Sequence, residues 1–184
     1  ESYHVGFVHR ATLGEIPDGD LCTNKIIPGG SMFFGPGSSD VVSAAGRQVA
    51  RQAHGEVESR YIHGIAYPTF MWTPEALGTS FQTVIPTGPK SCRIRWRILA
   101  LQGERKRHLL NLLARCIAKV QAGFWRRVVN EDVEFLPSVQ VGVESLMQPS
   151  EGLVSRREER IFHFQKWLAN RIGYVKTNDF VGSA

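Results

Sequence analysis

Residues 91–99 alternate charged and apolar side chains, and this alternation constrains the fold more than any other feature of the chain. Successive side chains of a β-strand point to opposite faces, so a strand with one buried and one wet face requires this pattern. The wet face would carry Arg93, Arg95 and Arg97. Similar strand-like runs, separated by short turns rich in Pro and Gly, precede it at 60–63, 70–72 and 79–85. The pattern predicts an antiparallel meander.

Helical periods surround this meander. Residues 104–121 repeat apolar side chains at helical spacing, and 124–147 continues as helix, with Gly123 predicted to break or bend it and Pro137 to interrupt it. Ser155 to Glu158 has the form of a capping box, which predicts the start of a last helix. Its predicted buried stripe is Ile161, Phe162, Phe164, Trp167 and Leu168.

The first third of the chain is less regular. Residues 2–12 are predicted to form a helix, and 40–53 favour helix. Between them, residues 13–40 contain repeated Pro and Gly, which indicates a loop with short strands at most. A meander with helices before and after it gives an α+β domain over residues 1–184, with one curved antiparallel sheet packed on long helices.

Composition narrows the function classes. The chain has 184 residues and 42% hydrophobic content, enough for one core, and no apolar run long enough to cross a bilayer. Its net charge is +5, but the positive residues are scattered or paired with acids, which argues against nucleic-acid binding. Three scattered cysteines argue against a disulfide framework and favour a reducing, cytoplasmic location. Because the chain begins at Glu1 without Met, we expect its natural N-terminus, and possible further strands, to lie upstream.

The strongest chemical signal is the opening stretch Glu1-Ser-Tyr-His4-Val-Gly-Phe-Val-His9. Two imidazoles and a distant carboxylate form the ligand set of non-haem Fe(II). A step of five residues turns an ideal helix by about 500°, so His4 and His9 converge on one ion only if the helix ends or distorts between them. Gly6 makes such a distortion less costly. The best source of the carboxylate is the segment 130–133, near the end of a helical run.

These residues resemble a known family. The opening stretch is similar to the D/E-x-x-H-x-x-x-x-H motif of the catalytic domain of Rieske non-haem iron oxygenase α subunits, the ring-hydroxylating oxygenases. Further segments resemble that family in the same order along nearly the whole chain, with the least clarity between residues 38 and 60: they are 67–72, 80–89, 93–99, 124–125, 130–132, 138–142, 152–158 and 162–168.

The resemblance implies a helix-grip fold, similar to START and Bet v 1 domains, with Fe(II) held by His4, His9 and Asp132. It also implies that Glu1 bridges electron transfer from the cluster of a neighbouring subunit, and that Asn130 lies beside the ligands. The family's [2Fe–2S] Rieske domain is absent, since the cysteines have no C-x-H or C-x-x-H spacing. We therefore expect this fragment alone to be inactive.

The implied enzyme is an oxidoreductase, a Rieske-type mono- or dioxygenase, that hydroxylates or oxidatively dealkylates a small organic substrate with O₂. Its electrons would come from a reductase or ferredoxin, and the full-length protein would be a homo-oligomer, a trimer. In the family that the chain resembles, Asp is usual three residues before the first histidine of ring-hydroxylating members, whereas Glu is more typical of relatives that oxidise quaternary ammonium or betaine-like substrates. The resemblance at Glu1 therefore favours the latter over aromatic hydrocarbons. The predicted substrate-binding residues are Phe70, Trp72, Phe81 and Phe124. The alternative is a non-catalytic helix-grip domain that binds an apolar ligand.

Overall fold

Each strand pairs with its neighbour in sequence, so the sheet is a simple meander. The computed structural model describes residues 8–13, 21–101, 103, 107–145 and 158–173. The six antiparallel strands are β1 (Thr23–Ile27), β2 (Gly30–Gly35), β3 (Tyr61–Ala66), β4 (Phe70–Glu75), β5 (Gly78–Gly88) and β6 (Ser91–Ala100). The helices are α1 (Val41–His54), α2 (His108–Glu144) and α3 (Glu159–Arg171).

The predicted α+β class, with an antiparallel sheet packed on long helices, is confirmed. The meander predicted from the alternating runs corresponds to β3, β4, β5 and β6. The segment predicted as a loop with short strands at most contains β1 and β2, which pair with each other and extend the sheet. Their turn is tight, because Gly29 adopts a positive φ of 72° between them.

The strand register assigns every sheet residue to one of two faces. Arg97 pairs with Phe81, and Phe81 pairs with Trp72, so these three side chains share one face, here called the outer face. The other, inner face is the one on which the helices pack. Trp125 of α2 stacks on Tyr61 with ring centroids 6.3 Å apart, and Arg160 of α3 donates to Ser31.

Helix α1 is well capped at both ends. The Asp40 carboxylate accepts a hydrogen bond of 2.9 Å from the backbone N–H of Ser43, and Gly55 ends the helix with a φ of 86°. Its buried residues Val49 and Ala50 pack against Leu77, in the turn between β4 and β5, and against Ala114 of α2. This cluster is the core of the described residues, and Leu77 is fully buried there.

Helix α2 runs unbroken for 37 residues, about 55 Å at helical rise. The predicted break at Gly123 is wrong, because this glycine lies within the continuous helix. A mid-helix Gly costs only about 1 kcal/mol, which the packing of Trp125 and buried Val128 can offset. Pro137 also lies inside the helix, so the predicted interruption there is wrong, whereas the predicted helical continuation past it is confirmed as far as Glu144.

Helix α3 begins later than its predicted capping box. Its N-cap is Glu158, which makes no capping hydrogen bond with its side chain, and Ser155 lies outside the described residues. The most buried residue of the helix is Arg160, which donates to the Ser31 hydroxyl at 3.0 Å and to the backbone carbonyl of His63 at 3.2 Å. The predicted buried stripe of α3 is at most half-buried, and its Leu168 is exposed, so a polar anchor to β2 and β3 accompanies the packing of this helix.

Candidate metal centre and its cavity

His9 lies at a sharp turn and is almost completely buried, with 3% of its surface exposed. Its backbone carbonyl accepts hydrogen bonds from the N–H groups of Thr12 (3.0 Å) and Leu13 (2.7 Å). Regular helix therefore does not continue past His9 in the described chain. This turn fixes the direction of the imidazole ring, which points towards the middle of α2.

Two adjacent carboxylates of α2 flank the His9 ring. Nδ1 lies 2.8 Å from Oε2 of Glu131, and Nε2 lies 3.0 Å from Oδ1 of Asp132. The two acids are 122 and 123 residues away in sequence, so only the tertiary fold brings them to His9. The hydroxyl of Thr12 donates to the same Glu131 oxygen at 2.8 Å, which holds that carboxylate from a second side.

The number of hydrogen-bond donors on the His9 ring is too small for two carboxylates, which favours an added positive charge at this place. A neutral imidazole has one N–H and one lone pair, so it can donate to only one of the two carboxylates. If Nδ1–H donates to Glu131, the Nε2 lone pair faces the Asp132 oxygen, and like partial charges meet. A protonated ring or a cation bound by both Nε2 and Oδ1 removes this conflict.

The donor atoms fit a transition-metal ion such as Fe(II). Imidazole nitrogen and carboxylate oxygen are the ligand types of non-haem iron sites. The Nε2 of His9 and the Oδ1 of Asp132 are 3.0 Å apart, so both atoms would be available to hold one ion. A histidine ligand usually donates its other ring N–H to a carboxylate, and Glu131 lies 2.8 Å from Nδ1 of His9, where it would accept such a bond.

The remaining predicted residues divide between several places. His4 and Glu1 lie outside the described residues, and within the described part no group of three or more His, Cys, Asp and Glu is arranged to hold a metal. Asn130 is exposed on α2 and does not line the cavity beside His9. Glu131, which precedes the predicted ligand Asp132 on α2, contacts His9.

A cavity of about 2110 Å³ separates the inner face of the sheet from α2. His9, Thr12 and Asp132 lie on its wall, as does Phe124, so the structure brings this predicted substrate residue to the same space as the candidate ligands. The sheet side is lined by inner-face residues, among them Phe33, Tyr61, His63, Met71, Thr73, Glu75, Ser80 and Gln82.

Phe70, Trp72 and Phe81 are on the other side of the sheet. They form a stacked cluster on the outer face, with ring centroids 6.1 Å (Phe70 to Trp72) and 5.8 Å (Phe70 to Phe81) apart, and none of them lines the cavity. The cavity instead receives Met71, Thr73 and Glu75 of β4. We expected these aromatic side chains on the buried, inner face of the sheet, but the strand register places them on the outer face. The alternation of arginines in β6 could have corrected this prediction, because Phe81 pairs with Arg97 and therefore lies on the same, wet face.

Glu75 is an unusual residue of the cavity wall. Its Oε1 is buried and has no hydrogen-bond partner among the described residues. Burial, with the like charge of Asp40 adding to it, raises the pKa of Glu75 to about 7. Asp40 behaves in the opposite way: burial opposes its ionisation, but hydrogen bonds from Ser38 and Ser43 outweigh that effect and lower its pKa to about 2.

Comparison with known proteins gave one match. The family described as "Ring hydroxylating alpha subunit (catalytic domain)" matches residues 1–174, nearly the whole chain. No curated protein and no solved structure matched it. Among the described residues, no helix combines the length and the apolar character needed to span a membrane.

Proposed function

Because the chain belongs to the family of ring-hydroxylating α-subunit catalytic domains, we propose that it is the mononuclear-iron catalytic domain of a Rieske-type terminal oxygenase. Its ligands would be His4, His9 and Asp132. The bound Fe(II) would supply the position at which O₂ reacts with a small organic substrate, which is hydroxylated or oxidatively dealkylated.

The observation that carries this proposal is the position of His9. His9 lies near the start of the chain and Asp132 in its later half, and their side chains are 3.0 Å apart on the wall of a large cavity. Each ring nitrogen of His9 faces a carboxylate oxygen, and this arrangement favours a positive charge on the ring or on an ion bound beside it.

The surrounding residues have distinct roles in this proposal. Glu131 accepts the Nδ1–H of His9, which fixes the tautomer and leaves Nε2 as the metal-binding nitrogen. Thr12 donates to Glu131 and so holds the carboxylate in place. The apolar parts of the cavity wall, such as Phe124 and Phe33, would exclude water from the substrate.

Electrons would come from outside this chain. A [2Fe–2S] cluster in a Rieske domain upstream would receive them from a reductase or ferredoxin, and Glu1 would couple that cluster to His4. Electron transfer between subunits would require a homo-oligomer, a trimer, when the protein is full length. We place this enzyme in the cytoplasm, because its scattered cysteines suit a reducing compartment.

Anaerobic titration with Fe(II) tests the metal site. The wild-type chain should bind one Fe(II), and His9→Ala and Asp132→Ala should each abolish that binding, because each removes a donor. Matched controls are His163→Ala, on α3, and Glu134→Ala, exposed two residues after Asp132. Both controls should bind iron like the wild type. Equal iron content in the wild type, His9→Ala and Asp132→Ala would refute the proposal.

The size of the cavity also favours the alternative, a helix-grip domain that binds an apolar ligand without redox chemistry. Typical ligand sites have volumes of roughly 300–1,000 Å³, and this cavity is larger at about 2110 Å³. The Fe(II) titration separates the two functions. A non-catalytic binding domain would show no iron binding that depends on His9 and Asp132.

A further inference from the structure

Strand β6 forms one edge of the sheet. Among the described residues it pairs only with β5, and its other side faces no strand. The edge of a sheet presents a row of backbone N–H and C=O groups that can pair with a further strand. With 10 residues, β6 is as long as strands usually become, whereas exposed edges are usually kept short. This open edge therefore suits a strand that comes from another chain.

Exposed arginines line the outer face of this edge. Arg93, Arg95 and Arg97 occupy alternate positions of β6, so their side chains point to the same side of the sheet. None of them makes an ion pair or a side-chain hydrogen bond within the described part of the chain. Across the ladder they meet only uncharged residues of β5, which are Ile85, Thr83 and Phe81. The sheet itself therefore does not balance their positive charge.

The outer face has a single sign of charge. The register places no Asp or Glu of the described strands on this face, and Lys25 of β1 adds a further positive charge at the opposite edge. Between the two edges lies the aromatic cluster of Phe70, Trp72 and Phe81, in which Phe70 is 40% exposed. Aromatic residues and arginine are enriched where proteins bind other proteins. The charge of the face selects a partner that is acidic.

The same features disfavour two other occupants. In antiparallel pairing of β6 with the β6 of a second copy, arginine would lie opposite arginine, and like charges directly opposite each other destabilise a sheet. A nucleic acid would balance the charges, but it has no peptide groups to continue the backbone ladder. A polypeptide with carboxylates matches both the open edge and the arginines.

We propose that β6 binds an extended, acidic segment of a partner protein, which joins the sheet as a further strand. Side chains on one face of a strand recur about every 6.8 Å, so carboxylates at every second position of that segment lie beside Arg93, Arg95 and Arg97 in turn. The segment buries little area, so the complex is weak, and added salt weakens it further. This interaction goes beyond the proposed oxygenase function, because it uses the outer face, whereas the cavity lies on the inner face.

Synthetic peptides of about seven residues, a usual strand length, test the proposal on the protein chain itself. A labelled peptide that alternates Glu and Thr is compared by fluorescence anisotropy with three others. One has Gln in place of Glu, one has the same residues with the glutamates grouped together, and one has all its peptide groups N-methylated. We expect the alternating acidic peptide to bind at least about fivefold more tightly than each of the others, because only it has both the charges in register and the backbone donors.

Variants of the arginines locate the binding. Arg95→Gln should weaken binding of the alternating acidic peptide about two- to fivefold, and replacement of Arg93, Arg95 and Arg97 together by Gln about tenfold or more. The control is Arg126→Gln, because Arg126 is exposed on α2 rather than on the sheet, and it should bind the peptide like the wild type. Peptide binding should also slow the hydrogen exchange of β6 backbone amides, which attraction between charges alone does not do.

Four outcomes would overturn the proposal. They are equal binding of the alternating and the grouped acidic peptides, undiminished binding by the triple variant, unchanged exchange of the β6 amides in the complex, and no binding of any peptide. A single-stranded oligonucleotide of equal charge that binds more tightly and displaces the peptide would also overturn it, because the arginines would then serve a nucleic acid. The measurements involve no iron, so each result leaves the Fe(II) site of His9 and Asp132 to its own titration.

Discussion

Replacing Glu75 with glutamine should stabilise the protein at alkaline pH and change little at acid pH. Glutamine has nearly the same shape as a protonated glutamate, so the variant removes the cost of ionisation without creating a cavity. The pKa of Glu75 is raised from 4.5 to about 7 in the folded chain, mainly by burial. The folded state therefore binds this proton more tightly than the unfolded state does.

The sign and size of the effect follow from these values. Below the unfolded pKa of 4.5, the protonated carboxyl makes its full contribution to the free energy of unfolding. This contribution is lost as the pH rises through the folded pKa of about 7. A difference of about 2.5 pKa units corresponds to at most about 3 kcal/mol at high pH. Water in the open cavity reduces that figure, so we expect Glu75→Gln to gain about 1–3 kcal/mol over the wild type at pH 8. At pH 4.5 the two proteins should be nearly equal.

Urea denaturation at a series of pH values measures this difference. With an m-value of about 2 kcal/mol/M, the midpoint of the variant should exceed that of the wild type by roughly 0.5–1.5 M at pH 8. Glu134→Gln is the control, because Glu134 is exposed on α2, and its difference from the wild type should be small at every pH. A stability gain that does not change with pH, or a loss at pH 8, would refute the reasoning about burial of Glu75.

Two further predictions concern other parts of the structure. Glu131→Ala should weaken Fe(II) binding about 10–100-fold without abolishing it, because the variant loses the group that orients His9 but keeps both donors; an unchanged affinity in the anaerobic titration would remove Glu131 from the site. Gly64→Ala should destabilise the fold by about 1–3 kcal/mol in urea denaturation, because the added methyl group would overlap the Trp72 ring. Gly123→Ala is its control, since a side chain there meets no neighbour, and equal effects of the two substitutions would contradict the packing argument.

The sequence determined the local elements of this fold. The alternation of charged and apolar residues in β6 is a short-range property, and so are the turns before this strand. They predicted the meander because successive side chains of a strand point to opposite faces of the sheet. The helical period of α2 was equally local. Gly123 was misjudged because its effect depends on what packs beside it, and Trp125 and Val128 hold the helix together across that position.

The tertiary structure decided which face of each strand meets the cavity. On β4, the sequence favoured Phe70 and Trp72, but the register with β5 and β6 places them beside Phe81 and Arg97. A single strand cannot reveal this parity, because both of its faces contain apolar residues and only pairing across the sheet relates them to the helices. The polar face, with Thr73 and Glu75, lines the cavity.

The candidate metal centre combines both sources of information. The spacing of the imidazoles and the family resemblance suggested His9 and Asp132 from residue types alone. The role of Glu131 was hidden, because a carboxylate in a helical run is usually solvated and nothing local distinguishes it from Glu134. Its contact with His9 spans 122 residues and depends on how the chain before β1 packs against α2. The sequence determines which chemical groups are present, but only the packing of the helices and strands brings residues that are far apart in sequence into contact.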